Sequence, residues 1–187
     1  MIPFEPYNPA WSTGFRQLKQ MLESILCNYL VDIQHVGSTA IPGLPAKPIL
    51  DIDIIIKDQT LLSGVSSILE NAGYLNRGDQ GIPGRFAFRQ QSIYTPEGPE
   101  RTKWMEHHLY VCFTDSLALK NHLLFRDALL ADKAVCMQYA ALKERLSGRN
   151  GISREQYTRE KTEFILEVLR KQGMTTVELS AIRAANS

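Results

Sequence analysis

Cysteine is scarce in this chain of 187 residues, and Cys27, Cys112 and Cys136 are odd in number, far apart and never in a Cys-x-x-Cys spacing. That excludes a disulfide framework and offers no zinc-ligand pattern, so all three are expected as small buried hydrophobes. An excess of one charge is also lacking. With 21 basic against 20 acidic side chains the formal charge is +1, which gives no broad attraction to nucleic acid or to an anionic membrane. No stripe of interleaved aromatic and basic residues appears either, so direct nucleic-acid binding is not expected. No apolar run approaches a membrane span, and the start Met1-Ile2-Pro3-Phe4-Glu5-Pro6 lacks the basic and apolar regions of a signal peptide, so the expected setting is the cytoplasm. Internal repeats, low-complexity tracts and a P-loop are absent from the sequence.

What is present is enough apolar sequence, 44% of residues, to bury a core. Phe15, Leu18, Leu22, Ile25 and Tyr29 recur at spacings of three and four, the stripe of a helix opening near Ser12 or Thr13 and ending by Asp32. Residues 33–36 and 48–57 read as strands, the second with Ile at 49, 52, 54, 55 and 56. A helix over 61–71 is closed by Gly73, and 74–113 reads as strands or hairpins, with 86–90 and 109–113 as candidates. Helices are then expected over 116–131, 132–147 and 153–171, the last after the Gly148-Arg149-Asn150-Gly151 break. Strands first and helices later predict an α+β fold: a mixed-sheet core over 1–115, a helical subdomain over 116–171, and a tail over 172–187 that is either a short helix or frayed.

The chemistry concentrates in the segment from His35 to Asp53. Alternation along a strand puts Asp51 and Asp53 on one side and Ile52, Ile54 and Ile56 on the other. Two carboxylates so placed repel each other and need either water or a cation. Mg2+ fits, because it prefers oxygen ligands and is commonly held by one or two carboxylates together with substrate phosphates. The Gly37-Ser38 turn follows a short strand, where glycine admits close backbone approach and amide and hydroxyl groups can hold phosphate oxygens. Taken singly, the turn reads as an ordinary turn and the aspartates as a solvated strand face. Jointly they read as a phosphate site beside a metal site.

A Gly-Ser turn, about a dozen residues, then Asp-x-Asp on an apolar strand resembles the polymerase-beta-like nucleotidyltransferase superfamily. The whole string from His35 to Ile54 resembles the GrpB family within it. The resemblance continues through Tyr7 and Trp11, His107-His108-Leu109, the run from His122 to Asp127, the run from Tyr139 to Lys143, and Tyr157 and Lys161, and so covers roughly residues 3–170. It implies that Ser38 contacts a triphosphate, with Gly37, Thr39 and Lys47 as neighbouring phosphate-binding candidates, and that Asp51 and Asp53 bind Mg2+. The superfamily's third acidic ligand belongs on a later strand, where this chain instead has His108, Tyr110 and Cys112 on one face. His108 is the candidate base or ligand in its place.

Arg126, Lys143 and Lys161 fall on three late helices and are candidate phosphate contacts. In the pairs Tyr139/Lys143 and Tyr157/Lys161 the aromatic ring can equally pack beneath its lysine. The stretch 78–103, flanked by Arg77 and containing Arg85, Arg89, Arg101 and Lys103, reads either as a positively charged flap or as connecting hairpins. Two functions remain open: a Mg2+-dependent transfer of a nucleoside monophosphate from a nucleoside triphosphate to an acceptor, or a nucleotide- or small-ligand-binding regulatory module that kept the fold without turnover. The residues specify neither the acceptor, nor the preferred base, nor the oligomeric state.

Overall fold

The computed structural model describes residues 4–148 and 152–185. The expected break at 148–151 therefore lies mostly outside the described residues. The chain forms two compact units, the first running to Leu119 and the second from Lys120 onward.

In the first unit, helix α1 spans Ala10–Ile25 and buries Trp11, Gly14, Leu18 and Leu22. It opens before the Ser12 or Thr13 start expected from the sequence. Asn8 accepts a hydrogen bond from the Ala10 amide through Oδ1 at 2.9 Å, and Pro9 occupies the cap position, so the entry signal is Asn8-Pro9. Strand β1 is Asp32–Val36, β2 is Leu50–Ile56, helix α2 is Leu62–Asn71, and strands β3, β4 and β5 are Tyr74–Asn76, Arg85–Gln90 and His107–Phe113. They form one mixed sheet in the order β1-β2-β5-β4-β3, in which only the central β2–β5 pair is parallel.

The two faces of this sheet differ in chemistry. Ile52, Ile54, Ile56, Leu109, Val111 and Phe88 lie on one face and share a core with Leu18 and Leu22 of α1 and Val65 and Leu69 of α2. Each of those three isoleucines is fully buried, and such burial stabilises the fold by about 1.5–3 kcal/mol per side chain. At the edge of this core the Tyr74 hydroxyl and His107 Nε2 are 2.7 Å apart, and His107 Nδ1 is 2.8 Å from the Met105 carbonyl. A carbonyl can only accept, so Nδ1 carries the proton and the Tyr74 hydroxyl donates to Nε2. Burial lowers the His107 pKa to about 4 and keeps the ring neutral.

The opposite face is polar, and the strand register arranges it in rows. Val36, Asp51, His108 and Arg89 form one row, and Gln34, Asp53, Tyr110 and Ala87 the next. Arg85 and Arg89 therefore sit on a paired strand inside the sheet, which favours the hairpin reading of this stretch over the flap.

In the second unit, α3 (Leu117–Ala131) enters from the first, followed by α4 (Lys133–Ser147), α5 (Arg154–Lys171) and α6 (Thr176–Ala185). Asp132 caps α4 by accepting the Ala134 and Val135 amides, and Ser153 with Gln156 forms a reciprocal capping box on α5. The tail reads more firmly in the structure than in the sequence. Thr175 and Glu178 accept each other's amides at the start of α6, Leu179 and Ile182 are buried, and Arg183 forms a two-pronged pair with Glu163 at 2.9 and 2.7 Å. The last helix is thus part of the helical unit and does not fray as a separate tail. Among the described residues no helix is long and apolar enough to cross a membrane. Of the three cysteines only Cys112 is buried; Cys27 is exposed and Cys136 half-buried, because the latter two face outward from loop and helix positions that the apolar pattern does not cover.

Candidate functional site

Gly37 is the residue that joins turn to carboxylate. Its φ of 70° and ψ of −169° lie in a region open essentially to glycine alone, and a Cβ there would stand 2.2 Å from Asp51 Oδ2. The turn backbone therefore lies against the Asp51 carboxylate, on the polar face of the sheet. Ser38 follows and opens one turn of 3-10 helix, Ser38–Ala40.

Thr39 behaves differently from its assignment as a phosphate contact. Its side chain is buried, with its hydroxyl 3.3 Å from the Ile49 carbonyl, to which it donates, and 3.0 Å from His35 Nε2. His35 itself stacks on Phe15 of α1, with ring centroids 4.6 Å apart. The Thr39 hydroxyl is committed within the fold, so this residue holds the turn in place and does not offer its side chain to a ligand.

Asp51 and Asp53 do stand on the same face, one residue pair apart along β2. They differ in exposure: Asp53 is completely buried, whereas the Asp51 side chain is 33% exposed. A solvated strand face is not an adequate description of such a pair. His108 Nδ1 lies 2.9 Å from Asp51 Oδ1, and the ring is about half exposed. Its pKa is raised, first by this hydrogen bond, with opposition from burial and further support from the charges of Asp51 and Glu106; Lys47 is near enough to push it down.

Tyr110, beside Asp53 in the register, has its hydroxyl pushed up to about 12 by burial and by Asp51. The Arg85 guanidinium lies 4.6 Å from the centre of the Tyr110 ring, and its buried Nε has no hydrogen-bond partner among the described residues. Arg85 is thus a cation built into the same face. The β5 positions beside the two aspartates are His and Tyr, and among the described residues no group of three or more His, Cys, Asp or Glu is arranged to hold a metal. The donor set is two carboxylates, which suits a hard cation that completes its shell with water and phosphate oxygens.

Arg126, Lys143 and Lys161 belong to the helical unit. Arg126 bonds Asp127 through Nε at 2.8 Å. Lys143 is only 2% exposed, with its ammonium 5.2 Å from the centre of the Tyr139 ring, so this aromatic does pack beneath its lysine. Burial, with the nearby charge of Lys161, lowers the Lys143 pKa to about 7. Lys161 is half-buried.

The family profile described as GrpB protein matches residues 1–171. The chain belongs to the GrpB family. Relatives of GrpB type include glutamate-rich protein GrpB of Alkalihalophilus pseudofirmus, 32% identical over 87% of this chain and 91% of its own length. UPF0157 protein YqkA of Bacillus subtilis is 33% identical over 85% of this chain, which spans only 43% of YqkA. The crystal structure of GrpB from Enterococcus faecalis superposes with a TM-score of 0.73 at 27% identity, over 92% of this chain and all of that one. Cid1 in complex with the UTP analogue UMPNPP superposes with a TM-score of 0.57 at 16% identity, over 86% of this chain and 48% of that one. The GLD-2/RNP-8 structure gives 0.54 at 16% identity, over 92% and 63%. The GrpB fold seen here is therefore that of the polymerase-beta-like nucleotidyltransferases.

The rows of the polar face contain what sequence reasoning missed. Arg85, Ala87 and Arg89 alternate onto the same side as His108 and Tyr110; the alternation is present in the sequence, but which face it joins depends on the register against β5.

Proposed function

We propose that this GrpB chain is a Mg2+-dependent nucleotidyltransferase of the cytoplasm, moving a nucleoside monophosphate from a nucleoside triphosphate to an acceptor hydroxyl and releasing pyrophosphate. The observation that carries the reading is the approach of the Gly37 turn to Asp51 on the face that also holds Asp53, within a fold whose Cid1 example was solved with a UTP analogue. Asp51 and Asp53 would hold the metal, and Mg2+ bound there supplies charge neutralisation at the transferring and leaving oxygens. The turn at Gly37 and Ser38 positions the triphosphate. The acceptor oxygen attacks the α-phosphorus as its bond to the bridging oxygen of pyrophosphate breaks. The acceptor proton passes to His108 Nε2, since Nδ1 is bonded to Asp51, and that carboxylate stabilises the resulting imidazolium.

A second reading, a nucleotide-binding module without turnover, is favoured by one observation: Tyr110 occupies the β5 position beside Asp53, where a further carboxylate would serve catalysis. Calorimetric titration of Mg2+ with each nucleoside triphosphate, alongside a pyrophosphate-release assay, separates the two. Asp53→Asn should weaken Mg-nucleotide binding at least tenfold while the melting temperature stays within a few degrees. Unchanged affinity in that variant refutes the metal role of Asp53. Tight binding by the wild type with no pyrophosphate release across hydroxyl acceptors establishes the module.

A further inference from the structure

A hollow of about 380 Å³ opens on the polar face beyond His108, lined by Arg77, Arg89, Glu106, His108 and Tyr110 among others. Its origin is local. Ala87 stands in the row of Asp53 and Tyr110, and its methyl group leaves a depression that a longer side chain would fill. The segment after β3 continues alongside β4, with the Arg77 amide donating to the Ala87 carbonyl at 2.8 Å, and this brings a second arginine to the depression beside Arg89. Both arginines are exposed, and Glu106 is the one carboxylate residue among those that line the hollow.

The position of the hollow in the sheet order gives it a role. Reading across the sheet, the Gly37 turn follows β1, the carboxylates are on β2, His108 on β5 and Arg89 on β4. In-line displacement requires the attacking and leaving oxygens on opposite sides of the phosphorus. With the leaving pyrophosphate on the turn side of Asp51, the attacker arrives from the side of His108 and the hollow. Arg89 lies two strands beyond Asp51, about 10 Å at ordinary strand spacing. With the long arginine side chain covering part of that interval, an acceptor of about two to four heavy atoms between its hydroxyl and an anionic group spans the rest.

We infer that the hollow framed by Ala87, Arg77 and Arg89 is the acceptor subsite, and that the acceptor is a small hydroxyl compound bearing a carboxylate or phosphate. The inference rests on the transferase reading of the neighbouring carboxylates. The guanidinium groups give such an anion paired, charge-assisted hydrogen bonds, while a cationic acceptor meets repulsion from both.

The test uses four probes of similar size that differ in charge: glycerate, glycerol 3-phosphate, glycerol and 3-amino-1,2-propanediol. Each is titrated by calorimetry into the full chain, with and without Mg2+ and α,β-methylene-ATP, and oligoadenylate is run beside them. Glycerate or glycerol 3-phosphate should bind at least tenfold more tightly than glycerol, and whichever of the two leads identifies the anionic group. Arg89→Gln should remove that preference, Arg89→Lys should retain part of it, and Ala87→Leu should block both anions by filling the hollow. Equal affinity for all four probes overturns the inference, as does an anion preference that survives Arg89→Gln, or tight binding of oligoadenylate alone. Failure of the transferase reading registers separately, as absence of Mg2+–α,β-methylene-ATP binding by the wild type or as absence of pyrophosphate release from ATP, because the probe series is also read without nucleotide.

Discussion

Replacing Gly37 by alanine tests the approach of turn to carboxylate at a single atom. The substitution adds a Cβ at a φ of +70°, 2.2 Å from Asp51 Oδ2 and 2.9 Å from Asp51 Cβ and Cγ. Backbone strain in this glycine-only region costs about 1–3 kcal/mol, and forcing an extra carbon into occupied space costs about 1–3 kcal/mol more. Gly43 is the internal control, because it also has a positive φ, +82°, but nothing lies within 4 Å of its would-be Cβ. Gly43→Ala should therefore show only the backbone cost, about 1–2 kcal/mol. For a chain of this size the Gly37→Ala melting temperature should fall by roughly 5–20 °C, clearly more than that of Gly43→Ala. Thermal melts of both variants followed by circular dichroism make the comparison. Combining Gly37→Ala with Asp51→Ala removes the carboxylate from the collision, so the double variant should be more stable than additivity allows, by about 1–2 kcal/mol. If Gly37→Ala melts within about 2 °C of Gly43→Ala, or the cycle shows no coupling, the close approach of turn and carboxylate is refuted.

Tyr74→Phe removes the hydroxyl that donates to buried His107 Nε2 and should destabilise the fold by about 1–3 kcal/mol in urea titrations at pH 7.5; a variant as stable as wild type would contradict that bond. Because the folded pKa of His107 is depressed to about 4, stability from burying the neutral ring is complete above the ordinary 6.5 and drains away as pH falls from 6.5 toward 4. Lys143 follows the same sign at higher pH. With its pKa lowered to about 7 from 10.5, folding holds back its proton between those values, so stability rises with pH across that window and the charged form is disfavoured below it. Lys143→Met should raise the melting temperature at pH 6 and lose most of that advantage by pH 10, and an advantage independent of pH would show that the ammonium is not the source.

The sheet and its apolar face were legible because isoleucines alternate through β2 and because Asp51 and Asp53 could only share the other side. The late helices were legible from periodicity and breaks. Elsewhere the sequence contained the signal without its context. Thr175 and Glu178 are a capping box, but few apolar residues follow it, so the pattern alone leaves a short helix and a frayed end both open. Asn8-Pro9 opened α1 ahead of the hydroxyl residues that usually do so. At the candidate site, Thr39 looked like a ligand because it follows Gly37 and Ser38; its inward hydroxyl depends on His35 and Ile49, whose positions only the β1–β2 pairing defines. Arg89 and Ala87 acquired meaning only from their register against β5, which no local pattern encodes.

The isolated bridge between Glu5 and Ala46, whose amides donate to each other's carbonyls at 2.9 and 3.0 Å, straps the connection between β1 and β2 to the beginning of the chain. Together with the Thr39 tether it fastens the loop that follows Gly37 at two separate points before any ligand arrives. A loop anchored in this way has little conformational freedom left to surrender, so phosphate capture by the turn would proceed with a small entropic penalty. The same strap makes the extreme N-terminal segment a remote determinant of the turn: shortened forms that begin after Glu5 would loosen residues 37–49 without touching any side chain of the polar face.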